Sequence, residues 1–412
     1  MNGTETREIA IVGAGVIGLT IALRLAQAGR EVTLIDPEPP GAGASYGNAG
    51  TIADYAVQPV GTPSVLKNLP SLLFDRDSPL AIRRAALPTL APWLLRFARQ
   101  SLPGAARRNA RALGELTADA GPCWIELARE IGGDDLLRRN GALYLYDSRA
   151  AVAAAKTDMA SRRALGVTVE LIGPEEVARL EPALPPVQGG AFFPGTVFVA
   201  DPGAMMARLA AAVEAAGARF LTARAEGLAR TAAGVRLTGP GLDLCADRVV
   251  IAAGAHSRAL ARQAGDRVPL DTERGYHVEY DMAELPLGRP TSPTSRGFYF
   301  CPMAGRLRVA GTVELGGLTA PPSPHRIARL DEGARSIFPE LPPPSRSWMG
   351  FRPSMPDSLP VIGPSSGGAE VLLAFGHGHI GLTLAPVTAR LIAAALDGRA
   401  NQEATACLPT RF

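Results

Sequence analysis

The chain of 412 residues contains few lysines, few cysteines and few aromatic residues. Only two of its 42 basic residues are lysines, Lys67 and Lys156, so a group that binds an anion here is expected to be an arginine. The four cysteines stand far apart and have no metal-ligand spacing with the five histidines. We therefore predict no disulfide framework, no metal site and a reducing compartment.

The sequence also lacks an excess of one charge and an unbroken apolar segment. Its net charge is only +3, and the sequence contains no basic tract. Both observations disfavour a nucleic-acid partner. Glycine and histidine interrupt the longest uncharged stretch, residues 371–389, so a strand, a loop and a helix are predicted there rather than a membrane span. The N-terminal residues lack the apolar core of an export signal, and the expected location is the cytoplasm. A chain of this length, 47% hydrophobic, is expected to form two or three domains around an enzyme-sized core.

The first fifty residues contain the pattern of a dinucleotide-binding βαβ unit. A β-rich run ends at Val12, the glycine turn GAGVIG follows, and a helical pattern leads to a second strand that ends in an acid. The glycines allow a tight turn and close approach of the pyrophosphate. The acid accepts hydrogen bonds from the ribose hydroxyls and would repel the 2′-phosphate of NADP, which disfavours that cofactor. A glycine turn that binds an unrelated ligand is the alternative. The expected contacts are Gly13, Gly15, Val16, Ile17, Gly18, Asp36 and Pro37.

A second glycine-rich segment, GAGASYGNAGTIADY from Gly41 to Tyr55, follows this unit. It resembles the second cofactor-contacting loop of the D-amino-acid oxidase superfamily, which lines the pyrophosphate and isoalloxazine of FAD. A solvent-exposed loop of the same composition is the alternative. The resemblance implies FAD as the cofactor, with contacts from Ser45, Asn48, Ala49, Gly50 and Thr51.

The resemblance to this superfamily extends over nearly the whole chain. The segment LTARAEGL places Ala225 where the family usually has a valine against the adenine. The run RVVIAAGAHS is similar to the family's Ala-Thr-Gly strand, with Ala253 in place of threonine and Gly254 retained. The segment LLAFGHGHIGLT resembles the loop and helix at the flavin ring. It implies flavin contacts from Gly376, His377, Gly378, His379, Ile380, Gly381, Leu382 and Thr383.

Four residues are expected to act in the catalytic site. The segment GFRPSMPDSLPVIGPS resembles the family's carboxylate-binding strand, and Arg352 is the expected guanidinium clamp for a substrate carboxylate. By resemblance, Tyr299 helps to hold that carboxylate, Tyr276 lies over or beside the flavin, and His379 hydrogen-bonds the ring or the substrate. The alternatives are an arginine paired with Asp357, tyrosines of a strand core and a histidine bonded to nearby backbone.

The segment from Pro79 to Arg111 contains no acidic residue and seven arginines interleaved with apolar residues. On helices, this pattern predicts a surface for a partner protein or for peripheral contact with the inner face of the membrane. A helical cap over the active site, with arginines on its outer face, is the alternative.

Together these segments predict an α/β protein in which each domain is built from separate stretches of chain. A Rossmann-like FAD-binding domain with a parallel sheet is expected from residues 1–55, 200–260 and 345–412. A substrate domain with a mainly antiparallel sheet and covering helices is expected from residues 56–199 and 261–344.

Within the superfamily, the chain resembles the small subunit of D-amino-acid dehydrogenase most. The resemblance implies oxidative deamination of D-amino acids by hydride transfer from Cα to the flavin, giving a 2-oxo acid and ammonia, with electrons passed to a quinone or another acceptor. Related oxidases of the sarcosine type use a lysine near the flavin to activate oxygen, so the shortage of lysine favours a dehydrogenase. The alternative substrates are a secondary-amine acid, such as D-hydroxyproline, an opine or sarcosine, and a 2-hydroxy acid. A flavin-binding subunit of a hetero-oligomeric dehydrogenase is a further alternative.

Overall fold

The computed structural model describes residues 8–67, 80–399 and 402–412, so that Pro79 of the arginine-rich segment lies outside the described residues. In chain order the strands are β1 (Ile9–Val12), β2 (Val32–Asp36), β3 (Thr51–Ile52), β4 (Leu80–Ile82), β5 (Leu137–Arg138), β6 (Ala142–Tyr146), β7 (Glu170–Ile172), β8 (Gly189–Phe193), β9 (Val197–Val199), β10 (Arg219–Thr222), β11 (Gly227–Thr231), β12 (Gly234–Gly239), β13 (Leu242–Ala246), β14 (Arg248–Ile251), β15 (Asp271–Asp281), β16 (Thr291–Pro293), β17 (Phe298–Met303), β18 (Arg306–Leu315), β19 (Arg346–Ser354), β20 (Val361–Ser365) and β21 (Gly368–Phe375). The α-helices are α1 (Val16–Gln27), α2 (Pro63–Lys67), α3 (Leu87–Gln100), α4 (Pro103–Thr117), α5 (Ala120–Glu130), α6 (Arg149–Arg163), α7 (Pro174–Leu180), α8 (Pro202–Ala215), α9 (Ser257–Gln263), α10 (Pro324–Arg335) and α11 (Gly381–Leu396).

A six-stranded sheet forms the centre of the first domain, in the order β10-β2-β1-β14-β21-β20. Its strands run parallel except for β20, which pairs antiparallel with β21. Ile9 and Ile11 of β1 pack with helices α1, α8 and α11, whereas Ala10 and Val12 pack toward the small sheet β11-β12-β13. The predicted Rossmann-like sheet is confirmed, and β1 is apolar along its whole length because both of its faces are covered.

A nine-stranded, mainly antiparallel sheet forms the second domain. Its order is β19-β15-β18-β17-β16-β6-β8-β7, and β4 pairs with β18. Tyr276, Val278 and Tyr280 alternate along β15 and pack in the core beneath helix α10. On the opposite face of β15, the His277 ring donates a hydrogen bond to the Gly47 carbonyl at 3.2 Å, in the loop that follows β2. This second face therefore meets the first domain.

The two sheets divide the chain differently from the sequence-based boundaries in two places. Strand β19 lies in the range 345–412 predicted for the FAD-binding domain, but it joins the antiparallel sheet beside β15. Helices α4 and α5 lie in the range 56–199 predicted for the substrate domain. Their residues Leu113, Leu116 and Trp124 nevertheless pack in the core shared with α11 and the parallel sheet. Local periodicity predicts an element, but the sheet that it joins depends on contacts that are distant in sequence.

The described part of the arginine-rich segment, residues 80–111, packs onto the protein largely as helices. In α3, Leu90, Trp93 and Phe97 are buried against Leu315 of the antiparallel sheet. Within the described ranges, none of the helices combines the length and the apolar character needed to cross a bilayer. The packing agrees with a helical cap, while a partner for its outer face stays a prediction. The exposed arginines of α3 and α4 are Arg96, Arg99, Arg107, Arg108 and Arg111.

Two glycines at the start of α1 let backbone segments meet. Gly13 has a φ of +111°, a region that side-chain-bearing residues rarely adopt, and an added Cβ would overlap the carbonyl of Ala252 after β14. At Gly18, in the first turn of α1, an added Cβ would overlap the carbonyl oxygen of Gly13. The first and third glycines of the motif are therefore required by close backbone packing.

Gly18→Ala should lower the apparent free energy of unfolding by about 2 kcal/mol, because the backbone oxygen of Gly13 cannot move aside as a flexible side chain would. Helix propensity alone would act in the opposite direction, by up to about 1 kcal/mol in favour of alanine. Chemical denaturation followed by tryptophan fluorescence measures the difference. Gly43→Ala is the matched control, since nothing lies within 4 Å of its added Cβ. A Gly18 variant as stable as this control would contradict the close approach.

Candidate active site

The loop after β2 meets the start of α1. Ser45 Oγ accepts a hydrogen bond from the Val16 amide at 2.9 Å, and an added Cβ at Gly15 would lie 3.3 Å from the same oxygen. At the end of β2, the Asp36 carboxylate accepts a hydrogen bond from the Ala14 amide at 2.8 Å. A helix N-terminus, a hydroxyl and a carboxylate thus lie together at one edge of the parallel sheet. This arrangement suits the pyrophosphate and ribose of a dinucleotide.

A buried ion pair joins the same loop to the antiparallel sheet. Arg308 on β18 is fully buried and donates hydrogen bonds to the carbonyls of Tyr46 and Asn48. Its guanidinium lies 2.7 Å from the carboxylate of Glu279 on β15. Burial alone would raise the pKa of Glu279, but Arg308 and the neighbouring arginines lower it to about 2. The loop therefore has a fixed position relative to the second domain.

The loop between β21 and α11 forms another side of the site. Gly376 and Gly378 have φ values of +85° and +55°, which glycine adopts at no steric cost. The Gly378 amide donates to the Pro353 carbonyl at 2.7 Å, and Thr383 Oγ1 accepts from the Ala53 amide at 2.9 Å. These bonds connect the loop to β19 and to the segment after β3.

These segments and the antiparallel sheet enclose a cavity of about 420 Å³. Its wall contains the guanidinium groups of Arg162 and Arg352 but no aspartate or glutamate of the described residues. The cavity is therefore suited to an anion. The predicted site residues that line it are Gly15, Val16, Ile17, Ser45, Asn48, Ala49, Thr51, Tyr276, Tyr299, Arg352, His377, Gly378, His379, Gly381 and Leu382.

The remaining predicted residues do not line this cavity. Asp36 and Pro37 lie at the end of β2, and Ala225 and Ala253 pack against the core beneath the small sheet. Contacts of this group with the adenosine half of a dinucleotide stay predictions. The full group is Gly13, Gly18, Asp36, Pro37, Gly50, Ala225, Ala253, Gly254, Gly376, Ile380 and Thr383.

Arg352 extends from β19 across β15 toward β18. An added Cβ on Gly275 of β15 would lie 2.5 Å from the guanidinium carbon, so this crossing requires a glycine. Beyond it, Arg352 Nη1 donates to the Thr312 carbonyl at 3.3 Å. Asp357, the alternative partner, pairs instead with Arg411 at 2.8 Å.

Within the described part of the chain Arg352 has no carboxylate within 4 Å. Burial lowers the pKa of Arg352, and the buried carboxyl of Glu273, its cross-strand neighbour on β15, interacts with it at longer range and acts to raise that pKa. The guanidinium lines the cavity without a direct ion pair and can bind a ligand there.

Thr312 has an unusual backbone conformation at this point. Its φ is +54°, and it lies where the pairing between β15 and β18 shifts register. Its hydroxyl is buried without a hydrogen-bond partner among the described residues. The carbonyl of Thr312 accepts the hydrogen bond from Arg352 in this conformation. Strained backbone of this kind is concentrated at functional sites.

Tyr299 belongs to a cluster of tyrosines in the cavity wall. Its hydroxyl lies 2.9 Å from the hydroxyl of Tyr144 on β6, and the ring of Tyr55 packs edge-on against Tyr144 with centroids 5.6 Å apart. The guanidinium of Arg162 lies 6.0 Å from the centre of the Tyr144 ring. Burial, and then Tyr144, raise the pKa of Tyr299 well above its usual value. The hydroxyl therefore keeps its proton, and the donor in its bond with Tyr144 can be either of the two tyrosines.

Tyr276, the tyrosine predicted over or beside the flavin, also belongs to the core of the antiparallel sheet. It borders the cavity, but its hydroxyl donates to the Glu314 carboxylate and accepts from the Ser323 amide at 3.2 Å. Its ring packs in the core beneath α10. Tyr276 and Gly275 both border the cavity, so a position of Tyr276 beside the flavin stays a prediction.

The two loop histidines have different environments. His377 is buried, its Nε2 lies 2.9 Å from Thr388 Oγ1 of α11, and burial lowers its pKa to about 3. His379 is exposed to the cavity, where enclosure by the wall and then the charge of Arg352 lower its pKa to about 4. Both rings are therefore neutral near pH 7. His377 supports the helix, whereas His379 is placed to contact a ligand.

Sequence reasoning misses several residues of the cavity wall. Tyr55 ends the glycine-rich segment quoted above, and Gly275 precedes Tyr276, so both lie beside predicted positions. Tyr144, Arg162 and Trp348 have no comparable local signal, because each reaches the cavity through tertiary packing. Further wall residues without a prediction are Ala44, Gly47, Ala53, Ala56, Gln58, Ala252, Gly297, Ala310, Gly311, Thr312, Val313, Gly350 and Pro353.

The site suits FAD on two observations. The turn at Gly13 and Gly15 presents backbone without side chains at a helix N-terminus, as a pyrophosphate requires. The Thr51 hydroxyl lines the cavity and is buried without a partner among the described residues. A buried hydroxyl of this kind normally has a hydrogen-bond partner, which the polar edge of a flavin would supply.

Comparison with known proteins agrees with this geometry. Residues 8–395 match the family described as FAD dependent oxidoreductase (DAO). The chain is 38% identical to the D-amino-acid oxidase of Bradyrhizobium diazoefficiens, with 99% of each chain covered. It is 32% identical to D-amino acid dehydrogenase 2 of Ralstonia nicotianae, with 97% of this chain and 98% of the relative covered.

The fold is also similar to a solved structure. Glycine oxidase from Geobacillus kaustophilus superposes with a TM-score of 0.79 at 24% identity, covering 99% of this chain and 100% of that one. The resemblance and the α/β fold predicted from the sequence are confirmed, and so is FAD as the cofactor. The chain belongs to the DAO family of FAD-dependent oxidoreductases.

Proposed function

We propose that the protein is a dehydrogenase of D-amino acids. The substrate would lose two electrons and two protons at the Cα–N bond, and water would hydrolyse the resulting imino acid to a 2-oxo acid and ammonia. The observation that carries this proposal is Arg352, whose guanidinium lies in the cavity wall, bonds the Thr312 carbonyl and has no carboxylate within 4 Å in the described ranges. Such a group binds a carboxylate through two parallel hydrogen bonds. FAD supplies two-electron oxidation chemistry when bound.

The carboxylate clamp limits which substrate atoms can react. Gly275 and Thr312 fix the path of the Arg352 side chain over the sheet. Tyr299 adds a hydroxyl from β17, the strand that pairs with the one carrying Thr312. A carboxylate bound at this fixed point leaves Cα and the amine few orientations. Positioning of this kind supplies much of an enzyme's rate acceleration.

The cavity favours an amine over an alcohol as the oxidised group. An alcohol must lose its hydroxyl proton to a base, whereas a neutral amine can be oxidised through its own lone pair. Among the described residues, no carboxylate lines the cavity, and the pKa of His379, about 4, makes that ring a weak base. This supports an amino acid rather than a 2-hydroxy acid as the substrate.

Stereochemistry and electron acceptor rest on different observations. The names of the Bradyrhizobium and Ralstonia relatives, an oxidase and a dehydrogenase of D-amino acids, support the D configuration. The only lysines of the chain, Lys67 and Lys156, are exposed and do not line the cavity, so neither is placed to activate oxygen there. This supports a quinone or a protein as acceptor. The name of the Bradyrhizobium relative supports oxygen as the second candidate.

Anaerobic addition of D-amino acids should bleach the visible absorbance of the holoenzyme. L-Amino acids, sarcosine, D-hydroxyproline and 2-hydroxy acids at the same concentration should leave the absorbance unchanged. Stopped-flow absorbance then measures recovery, which should be fast with a soluble quinone and slow with air. Bleaching by 2-hydroxy acids alone would overturn the amine assignment. Fast recovery in air would identify an oxidase instead.

Arg352→Gln should raise the Kd for a D-amino acid on the order of 100-fold, because charge-assisted hydrogen bonds to the carboxylate are lost. Gly275→Ala should raise it as well, by displacing the guanidinium while FAD stays bound. Anaerobic titration of the flavin absorbance measures both. The controls are Arg179→Gln, whose side chain is 74% exposed, and Gly195→Ala, with nothing within 4 Å of its added Cβ. If both test variants kept the wild-type Kd, the clamp would be disproved.

His379→Gln should slow flavin reduction by less than about tenfold, whereas loss of a general base typically costs about 10²–10⁴-fold. In both enzymes the rate should rise with pH as the substrate ammonium loses its proton. The imidazole, with a pKa of about 4, is already neutral throughout that range. Stopped-flow rates between about pH 6 and about pH 9 test this expectation. A pH dependence that disappears in the variant would assign proton removal to His379.

A further inference from the structure

The cavity contains a second guanidinium, Arg162, that the proposed function does not use. Arg162 lies near the end of α6, and its side chain is only 11% exposed. Its Nε donates to Asp158 at 3.2 Å, and its Nη1 donates to the Tyr55 carbonyl at 2.6 Å. In the described part of the chain, Nη2 makes no further hydrogen bond. One edge of this cation is therefore available to a group inside the cavity.

Arg162 and the carboxylate clamp border the same cavity, on either side of the tyrosine pair. The Arg162 guanidinium lies over the ring of Tyr144, whose hydroxyl is 2.9 Å from that of Tyr299. Tyr299 pairs with Ala310 of β18, two residues before Thr312, whose carbonyl accepts from the clamp arginine. The two cations thus border one cavity that Tyr144 and Tyr299 also line.

The carboxyls nearest to the two arginines lie outside the cavity wall. Asp158 pairs with Arg162 at 3.2 Å. Burial lowers the pKa of Arg352, and the buried carboxyl of Glu273, its cross-strand neighbour, acts to raise it. Two arginines line the cavity, and no acid of the described residues does. Asp158 bonds Arg162 from outside the wall and is 44% exposed, so water screens its charge. A monocarboxylate would neutralise one of the two enclosed cations. Because Asp158 is screened by water, a second carboxylate on the ligand would pair with Arg162 more strongly inside the cavity, where the effective dielectric constant is lower.

Resting on the proposed function, we infer that the preferred substrates are acidic D-amino acids. The α-carboxylate binds at Arg352 and Tyr299, and the side-chain carboxylate binds at Arg162 with the hydroxyl of Tyr144 beside it. In its amine-neutral, reactive form such a substrate carries two negative charges, which match the two guanidinium groups. A basic side chain meets Arg162 and is repelled. The amide analogues have nearly the same shape but lack the second charge.

The test compares acids with their amides on the holoenzyme. D-Aspartate and D-asparagine, D-glutamate and D-glutamine, D-alanine and D-lysine are titrated anaerobically while the flavin absorbance is recorded. In the wild-type enzyme, the Kd of at least one acid should be on the order of 100-fold lower than that of its amide. In Arg162→Gln this ratio should fall to about threefold or less, and Arg162→Lys should retain part of it, since the charge persists without the fork.

Arg163→Gln is the matched control. Arg163 is the next residue of α6, but its guanidinium donates to the Val169 carbonyl at 3.0 and 2.8 Å and does not line the cavity. The acid-to-amide ratio should keep its wild-type value in this variant. The acid-to-amide ratio of Kd values can be measured on the wild-type enzyme alone. The inference therefore stays testable if Arg162→Gln is unstable.

The outcomes separate the inference from the function on which it rests. If D-alanine or an amide bleaches the flavin as effectively as the acids, the substrate preference is refuted and the amino-acid dehydrogenase stands. An acid-to-amide ratio that survives Arg162→Gln would refute the role of Arg162. If no α-amino acid bleaches the flavin, the proposed function itself fails.

Discussion

The geometry of the site depends on the buried ion pair between Glu279 and Arg308. Charges taken out of water are stable only when they are paired and hydrogen-bonded. Arg308 meets this requirement by donating to Glu279 and to the carbonyls of Tyr46 and Asn48, which belong to the loop after β2. The pair therefore does more than stabilise a core. It determines where the cofactor loop lies relative to the antiparallel sheet, and with it the distance between the flavin-binding segments and the carboxylate clamp.

The floor of the cavity is built from glycine wherever a long side chain crosses it. Arg352 passes over Gly275, and the ring of Trp348 lies against Gly47 and Gly350, where an added Cβ would overlap the indole. A sheet with side chains at these positions would force the guanidinium and the indole away from the surface. Glycine weakens a strand, so these positions lower the stability of the sheet. They also let the guanidinium and the indole lie directly against the backbone, as the site requires.

The parts of the site that could be predicted from the sequence are those with short-range signatures. The turn from Gly13 to Gly18 is encoded within one βαβ unit, and Arg352 lies in a segment that resembles a family motif. Tyr144 and Arg162 meet Tyr299 only because β16 bridges β6 and β17 in the second sheet, and α6 packs near them. Strand alternation placed Tyr276 and Gly275 on opposite faces of β15. Helix α10, about fifty residues further along the chain, packs against Tyr276, and both Tyr276 and Gly275 border the cavity.

The two arginines of the cavity wall are carried by different kinds of element. Arg352 is fixed by β19, β15 and β18, three adjacent strands of one sheet, whereas Arg162 is carried by a helix outside that sheet. Substitutions on α6 can therefore change the side of the cavity that Arg162 lines without altering the register of the strands that carry Arg352. We therefore expect substrate preference to diverge among homologous proteins through substitutions on α6, while the strands that carry Arg352 stay unchanged and activity is retained.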